Sequence, residues 1–321
     1  MGILNGLYNY VGTHLTGPIF ETVDEHARDV IISTLRTGNV PQHVAFIMDG
    51  NRRYAKSKGL QTHKGHEMGA VALIQIIDSC LKLGISHVSM YAFSIENFKR
   101  TPEEVSLLFS LLMERIDQFL NQSERYSQGA RVRIIGNRTL VPEETMEKLE
   151  EIEKKTFNNN KITLNVCFSY TSRDELTHSI GQSVLLAEGG YSNKNKVDEE
   201  WVERFFYYPT DTPKVDLLVR TSGHTRLSDY LLWQVCENAK IVFVSTYWPQ
   251  FSVFEFYLVL IQWGFEKSIA EKFKDYESYL ISKFEGVVPT SYKKKGGVNL
   301  NELPIPPPFV TVTGKLTSSS K

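Results

Sequence analysis

The segment Phe46-Ile47-Met48-Asp49-Gly50-Asn51-Arg52-Arg53-Tyr54-Ala55-Lys56 sets an apolar run directly against a carboxylate, a glycine, an amide and then cations. A strand that ends in this order delivers Asp49 to the mouth of a cleft, where the turn and the N-terminus of the next helix can hold an anion. Mg²⁺ suits the space between that carboxylate and phosphate oxygens, because it prefers oxygen and takes one or two carboxylates together with substrate phosphates. His66 follows a helical turn or so beyond the cations. A second polar cluster, Ser94-Ile95-Glu96-Asn97-Phe98-Lys99-Arg100, and a third, Arg220-Thr221-Ser222-Gly223-His224-Thr225-Arg226-Leu227-Ser228, also follow apolar runs. Guanidinium forks match phosphate oxygens two at a time, and hydroxyls, amides and backbone N–H groups complete a cradle. The inventory suits a diphosphate, or two.

Each cluster also has a plainer reading. Asp49 before Gly50 suits a helix cap. Arg52, Arg53, Lys56 and Lys58 suit a solvated face, His66 a structural histidine, and Arg220 and Arg226 ordinary ion pairs. Three such clusters at corresponding strand ends favour chemistry over any of these. No rival motif competes: Gly-x-Gly-x-x-Gly after the first strand, Gly-x-x-x-x-Gly-Lys-Ser/Thr, Gly-x-Ser-x-Gly and His-Glu-x-x-His are all missing.

The elements that must carry these residues read as follows. Val44–Met48, Val88–Phe93, Val132–Ile135, Thr163–Phe168, Val215–Val219 and Ile241–Val244 are short, β-branched and mostly apolar without alternation, as strands buried on both faces are. Gly65–Leu83 and Glu103–Leu120 read as helices, the second with Val105, Leu108, Leu112, Ile116 and Phe119 on one side. Thr101-Pro102-Glu103-Glu104 is a helix start, and Pro142-Glu143-Glu144 starts a third. Strands alternating with helices imply a single open α/β domain whose sheet is mostly parallel, with ligands at the carboxyl ends of the strands. The boundaries are drawn at 1–40 for an N-terminal segment, 41–285 for the catalytic domain and 286–321 for an extended tail rich in Lys, Pro and Ser.

Composition narrows the classes. With 321 residues, 41% hydrophobic and 23% charged, the chain can bury a sizeable core. Its 36 Lys and Arg against 37 Asp and Glu leave a net charge of −1, so nucleic acid is not expected as a partner. Cys80, Cys167 and Cys236 have neither disulfide nor zinc spacing and point to a reducing compartment. Met1–Phe20 has no charged side chain but is broken by glycines, Asn5, Asn9, His14 and Pro18, which argues against a spanning helix. Leu4, Leu7, Tyr8, Val11 and Leu15 recur at roughly helical spacing, which suits an amphipathic surface helix as well as a frayed end.

Taken together, His43–Ala55, Tyr91–Arg100 and Asp216–Gln234 resemble the cis-prenyltransferases, and more closely the eukaryotic dehydrodolichyl diphosphate synthase catalytic subunits. The resemblance covers about Pro41 to Phe265. It implies a six-stranded parallel sheet flanked by helices and an enzyme that adds isopentenyl diphosphate to an allylic diphosphate such as farnesyl diphosphate, forming cis double bonds with Mg²⁺. By resemblance, Asp49 is the catalytic aspartate at the metal, and Gly50, Asn51, Arg52 and Arg53 cradle the allylic diphosphate, with His66 near the same site. Ser94, Asn97 and Arg100 match the second motif, which places Asn97 near the reacting carbons. Arg220, Arg226 and Ser228 match the set that binds the isopentenyl diphosphate. Leu73, Ile76 and Ile77, with Leu108, Leu112 and Ile116, read as core and, in such an enzyme, also as the wall of a tunnel for the growing chain.

Two departures from the family pattern matter. An acid that follows the Trp-Gln of the third motif in bacterial homodimers is matched here by Ala239, and no Arg-x-Gly follows Trp263. Eukaryotic catalytic subunits share this pattern and borrow the motif from a Nogo-B-receptor-type partner. The expectation is a heteromer that makes long-chain polyprenyl diphosphate for dolichol and protein glycosylation. It would attach peripherally to the cytosolic face of the endoplasmic reticulum membrane or to lipid droplets. A non-catalytic scaffold and a synthase of a different product length are the alternatives.

Overall fold

Successive residues of a strand face opposite sides of its sheet, and β1 (His43–Ile47) supplies two cores in this way. Val44 and Phe46 enter one core with Ile76, Cys80 and Phe256, while Ala45 and Ile47 enter another with Cys167, Tyr170 and Tyr230. The structure, a computed structural model, describes residues 28–121, 129–189 and 198–284. Most of the expected N-terminal segment, and the tail, fall outside those residues.

β1 is joined by β2 (His87–Ser94), β3 (Ala130–Ile135), β4 (Ile162–Tyr170), β5 (Leu217–Arg220) and β6 (Lys240–Phe243) in one six-stranded sheet ordered β3-β4-β2-β1-β5-β6. Every pairing is parallel, and each expected strand is present with ends shifted by at most two residues. The chain passes from β1 to β2 on one side, and β5 later pairs on the other. The strand order therefore reverses at β1, where α/β sheets open a crevice. The β1–β5 register sets Ile47 opposite Arg220, so the first and third polar clusters leave the sheet side by side. β2 delivers the second cluster on the other flank of β1.

Among the described residues the helices are α1 (28–35), α2 (Asn51–Ser57), α3 (Thr62–Leu83), α4 (Pro102–Asn121), α5 (Glu143–Thr156), α6 (Ser172–Glu188), α7 (Glu199–Glu203) and α8 (Val253–Phe284). One compact unit closes at Ile269, and the rest of α8 belongs to a second unit. α3 ends on Gly84, whose φ of 82° suits a left-handed C-cap. Gly65 and Gly69 let α2 lie against α3: a Cβ at Gly65 would stand 2.3 Å from the Asn51 carbonyl oxygen, and one at Gly69 2.4 Å from Asn51 Oδ1. Phe93, Phe98, Phe109 and Phe168 stack edge to face or tilted, which pins the 3₁₀ turn Ile95–Lys99 between β4 and α4.

Candidate active site

Asp49 leaves the end of β1 with its backbone fixed before its side chain is considered. Its N–H donates to Thr221 Oγ1 at 3.0 Å, and its carbonyl accepts from Thr221 Oγ1 at 2.7 Å and from the Trp248 N–H at 3.0 Å. The carboxylate does not cap α2; the N-cap is Gly50, in the left-handed region at φ 111° with no side-chain cap. A Cβ there would lie 2.9 Å from Tyr247 Cδ1 and 3.1 Å from Ser222 Cβ, so glycine is required twice over, by its backbone and by its neighbours. Asp49 Oδ2 instead accepts from Arg220 Nη2 at 2.9 Å, and Oδ1 lies 3.1 Å from Arg53 Nη2. Burial by itself would push this carboxyl up. The Arg220 hydrogen bond and the Arg53 and Arg220 charges outweigh burial and hold its pKa below the usual carboxylate range.

Arg220 is the buried member, with a side chain 3% exposed. Nη1 donates to Ser228 Oγ at 2.7 Å and to the Arg226 carbonyl, while its buried Nε has no partner among the described residues. Burial lowers its pKa, and the Asp49 carboxylate resists that. Arg53 donates to the Ser222 hydroxyl and lies over the Tyr247 ring at 5.5 Å. Asp49, Gly50, Asn51, Arg52, Arg53, His66, Arg100 and Arg226 line one cleft of about 520 Å³. Met48, Lys56 and His224 complete it. His224 belongs to the third polar cluster, whereas nothing in the sequence separates Lys56 from ordinary surface charge or Met48 from the end of a strand.

Glu104, at the start of α4, accepts from Arg100 Nη1 at 2.7 Å and from Arg52 Nη1 at 3.4 Å, holding two guanidiniums at the cleft without filling it. His66 sits near them on α3. Burial, then the positive charges of Arg100 and Arg52, hold it below its usual pKa against the pull of Glu104, so the ring is neutral at neutral pH. Ser94 and Asn97 do not line the cleft. They form a capping box instead, with Asn97 Oδ1 accepting from the Ser94 N–H at 3.0 Å and Ser94 Oγ from the Glu96 N–H at 3.2 Å.

An apolar cavity of about 90 Å³ with no polar lining shares Met48 with the cleft. Leu73 and Ile77 of α3, Leu112 of α4 and Ala92 of β2 contribute to its wall. Ile76 is fully buried in the first core, and Leu108 is partly buried against that core. The Ile116 side chain lies outside the described residues.

Asp49 is the one carboxylate among the cleft-lining residues, and no group of three or more His, Cys, Asp or Glu that could hold a metal occurs among the described residues. A cation that draws its remaining ligands from phosphate oxygens and water needs no more than this, so the donor set fits Mg²⁺ shared with a bound diphosphate. Ala239 packs on the second core and offers no ligand.

A family model described as putative undecaprenyl diphosphate synthase matches residues 47–269. The chain is 42% identical over 292 residues to a dehydrodolichyl diphosphate synthase complex subunit of Saccharomyces cerevisiae, covering 89% of this chain and 84% of the yeast subunit. It is 36% identical over 242 residues to the corresponding Homo sapiens complex subunit, covering 75% of this chain and 72% of the human one. Its fold is similar to lavandulyl diphosphate synthase from Lavandula x intermedia, solved with dimethylallyl diphosphate, at a TM-score of 0.65 and 26% identity over 70% of this chain and 94% of that one.

Proposed function

The chain belongs to the undecaprenyl diphosphate synthase family of cis-prenyltransferases, and on that premise we propose that it is the catalytic subunit of a dehydrodolichyl-type diphosphate synthase. It condenses isopentenyl diphosphate units onto an allylic diphosphate such as farnesyl diphosphate. The observation that carries this reading is Met48, which borders both a cationic cleft and a wholly apolar cavity. An amphiphile with a diphosphate head and a hydrocarbon tail uses both at once.

The reaction breaks the allylic C–O bond and joins that carbon to the terminal methylene carbon of isopentenyl diphosphate. Diphosphate leaves with the bonding pair, and a proton departs from the adjacent methylene to a phosphate oxygen or water. Arg52 and Arg53, with the first-turn N–H groups of α2, which no N-cap side chain covers, meet the charge that builds on the leaving diphosphate. Asp49 would hold Mg²⁺ against that group, and the ion when bound supplies further neutralisation of the same oxygens. Arg226, in the cleft lining, would hold the second diphosphate beside the first, while Arg220, buried and fixed by Ser228 and the Arg226 carbonyl, adds its charge from outside the lining, to which neither Arg220 nor Ser228 belongs. Proximity between the two organic partners supplies much of the remaining acceleration.

Both relatives are named as complex subunits, and the proposal includes a partner subunit of Nogo-B-receptor type that contributes an Arg-x-Gly. Ala239 supports it, because the cleft has one acid of its own. Among the described residues no helix is long and apolar enough to cross a membrane. Peripheral placement at the cytosolic face of the endoplasmic reticulum is proposed from the lipid nature of the product. The deciding assay combines the chain, with and without its partner, with farnesyl diphosphate, isopentenyl diphosphate and Mg²⁺, and resolves products by length and double-bond geometry. Cis-polyprenyl diphosphate from the complex is expected; no incorporation, or all-trans product, overturns the proposal.

A further inference from the structure

The segment after Arg226 takes a backbone that side-chain-bearing residues avoid. Ser228, Asp229 and Leu231 have φ of 52°, 61° and 50°, all in the left-handed region. Asp tolerates this region, but Ser228 and above all Leu231 do not, and contacts from outside the segment hold them there. The Ser172 N–H at the start of α6 donates to the Asp229 carbonyl at 2.8 Å, and the Leu232 N–H donates to Ser172 Oγ at 2.8 Å. The Arg173 N–H donates to Asp229 Oδ1 at 3.1 Å, and Arg173 Nε to Asp229 Oδ2 at 2.7 Å. Asp229 is largely covered, with 11% of its side chain exposed.

This arrangement bears on the site through the neighbouring residue. Ser228 Oγ accepts from Arg220, and Arg220 holds Asp49. Arg173 Nη2 also lies 3.8 Å from Glu96 Oε1, in the 3₁₀ turn that carries Asn97. The start of α6 thus touches the loops of the second and third polar clusters.

We propose that Asp229 and Arg173 are positioning residues: their pairing clamps 228–232 in its left-handed turn and so sets Ser228 and Arg220 for the isopentenyl diphosphate. The inference rests on the function proposed above and goes beyond it by assigning roles to residues that touch neither the cleft nor Asp49. The turn is not a generic strained loop, because Asp229 meets the α6 start with both its carbonyl and its carboxylate.

The test uses the complex with its partner and the variants Asp229→Ala, Asp229→Asn, Arg173→Ala and the Asp229→Ala/Arg173→Ala pair. Asn tolerates the left-handed backbone and still accepts from the Arg173 N–H, so it is the conservative variant. Asp229→Ala should raise KM for isopentenyl diphosphate about tenfold and leave KM for farnesyl diphosphate within about twofold, while Asp229→Asn should cost about threefold or less. The double variant should cost no more than Asp229→Ala alone. Hydrogen exchange of the Leu232 amide should be about tenfold faster in Asp229→Ala, a readout that needs no turnover. If both KM values rise together, if neither moves, if the two substitutions add, or if exchange is unchanged, the clamp is refuted. If the wild-type complex makes no polyprenyl product, the functional reading fails, and the exchange experiment alone still decides the clamp.

Discussion

Asp49→Asn is the perturbation whose outcome the geometry fixes most tightly. The substitution keeps the shape and removes the only acid among the cleft-lining residues, leaving Arg220 with 3% of its side chain exposed and no anionic partner. Two unit charges about 3 Å apart attract by roughly 5 kcal/mol at an effective dielectric of about 20, a gross figure largely offset by desolvation. Breaking such a pair while its cation stays buried nets about 2–3 kcal/mol, because an amide oxygen still accepts one hydrogen bond. For a unit of this size that is a fall in Tm of about 5–10 °C. Inorganic diphosphate without metal should recover part of the loss by mass action and should bind the variant more tightly than it binds wild type. Turnover with Mg²⁺ should fall by about 10²–10³ in the same variant. The pH dependence has a definite sign. The folded pKa of Asp49 is depressed, so its contribution is complete above the unfolded carboxyl pKa near 3.9 and is lost as pH falls through the lower folded value. The Tm difference should therefore persist at neutral pH and shrink only in strong acid. Thermal melts of both proteins with and without diphosphate decide the matter. An unchanged or higher Tm, or weaker metal-free binding of diphosphate, would show that Asp49 does not balance these cations.

Other outcomes follow from the same structure. His43 is buried with Nδ1 at 2.7 Å from the Pro213 carbonyl and Nε2 at 2.6 Å from Ser89 Oγ, and burial lowers its pKa to about 4. A histidine depressed in this way favours the folded state above its unfolded pKa. Stability should thus drop as pH falls from about 6.5 toward the folded value, by up to roughly 3 kcal/mol; urea melts at several pH values measure it, and a flat profile contradicts it. Gly65→Ala puts a methyl group against the Asn51 carbonyl, which should shift α2 and cost about 1–3 kcal/mol, with KM for the allylic diphosphate rising alongside. Ala92→Leu fills much of the small apolar cavity that takes the allylic tail, so KM for farnesyl diphosphate should rise about tenfold with KM for isopentenyl diphosphate within about twofold, and any polyprenyl product should be shorter.

The fold was largely legible because the six strands are dense in Val, Ile and Phe and most are bounded by polar or glycine-containing loops. α6 was not, for a physical reason: it buries Ser179 and Ser183 while Ile180, Val184 and Leu185 face outward, inverting the pattern by which a helix is read. In the site, the residue types at Asp49, Arg53 and Arg220 announced their chemistry, but the pairing of Asp49 with Arg220 spans 171 residues and depends on strand order, which no local pattern encodes. Asn97 offers the converse lesson. The resemblance implies a place near the reacting carbons for its amide, and the structure adds that its Oδ1 caps its own turn. Glu104 looked like a helix-start acid and is that, yet it also gathers Arg52 and Arg100. Tyr247 lies in no polar cluster, and only the fold brings its ring under Arg53.

In the proposed reaction one amphiphile occupies the cationic cleft and the apolar cavity together, passing Met48 on the way. A structure of the complex with a farnesyl diphosphate analogue that cannot ionise tests this directly. The expected result is a diphosphate among Asp49, Arg52 and Arg53 and a hydrocarbon tail running past Met48 between Leu73, Ile77 and Leu112. A diphosphate bound elsewhere, or a tail lying outside that cavity, would contradict it.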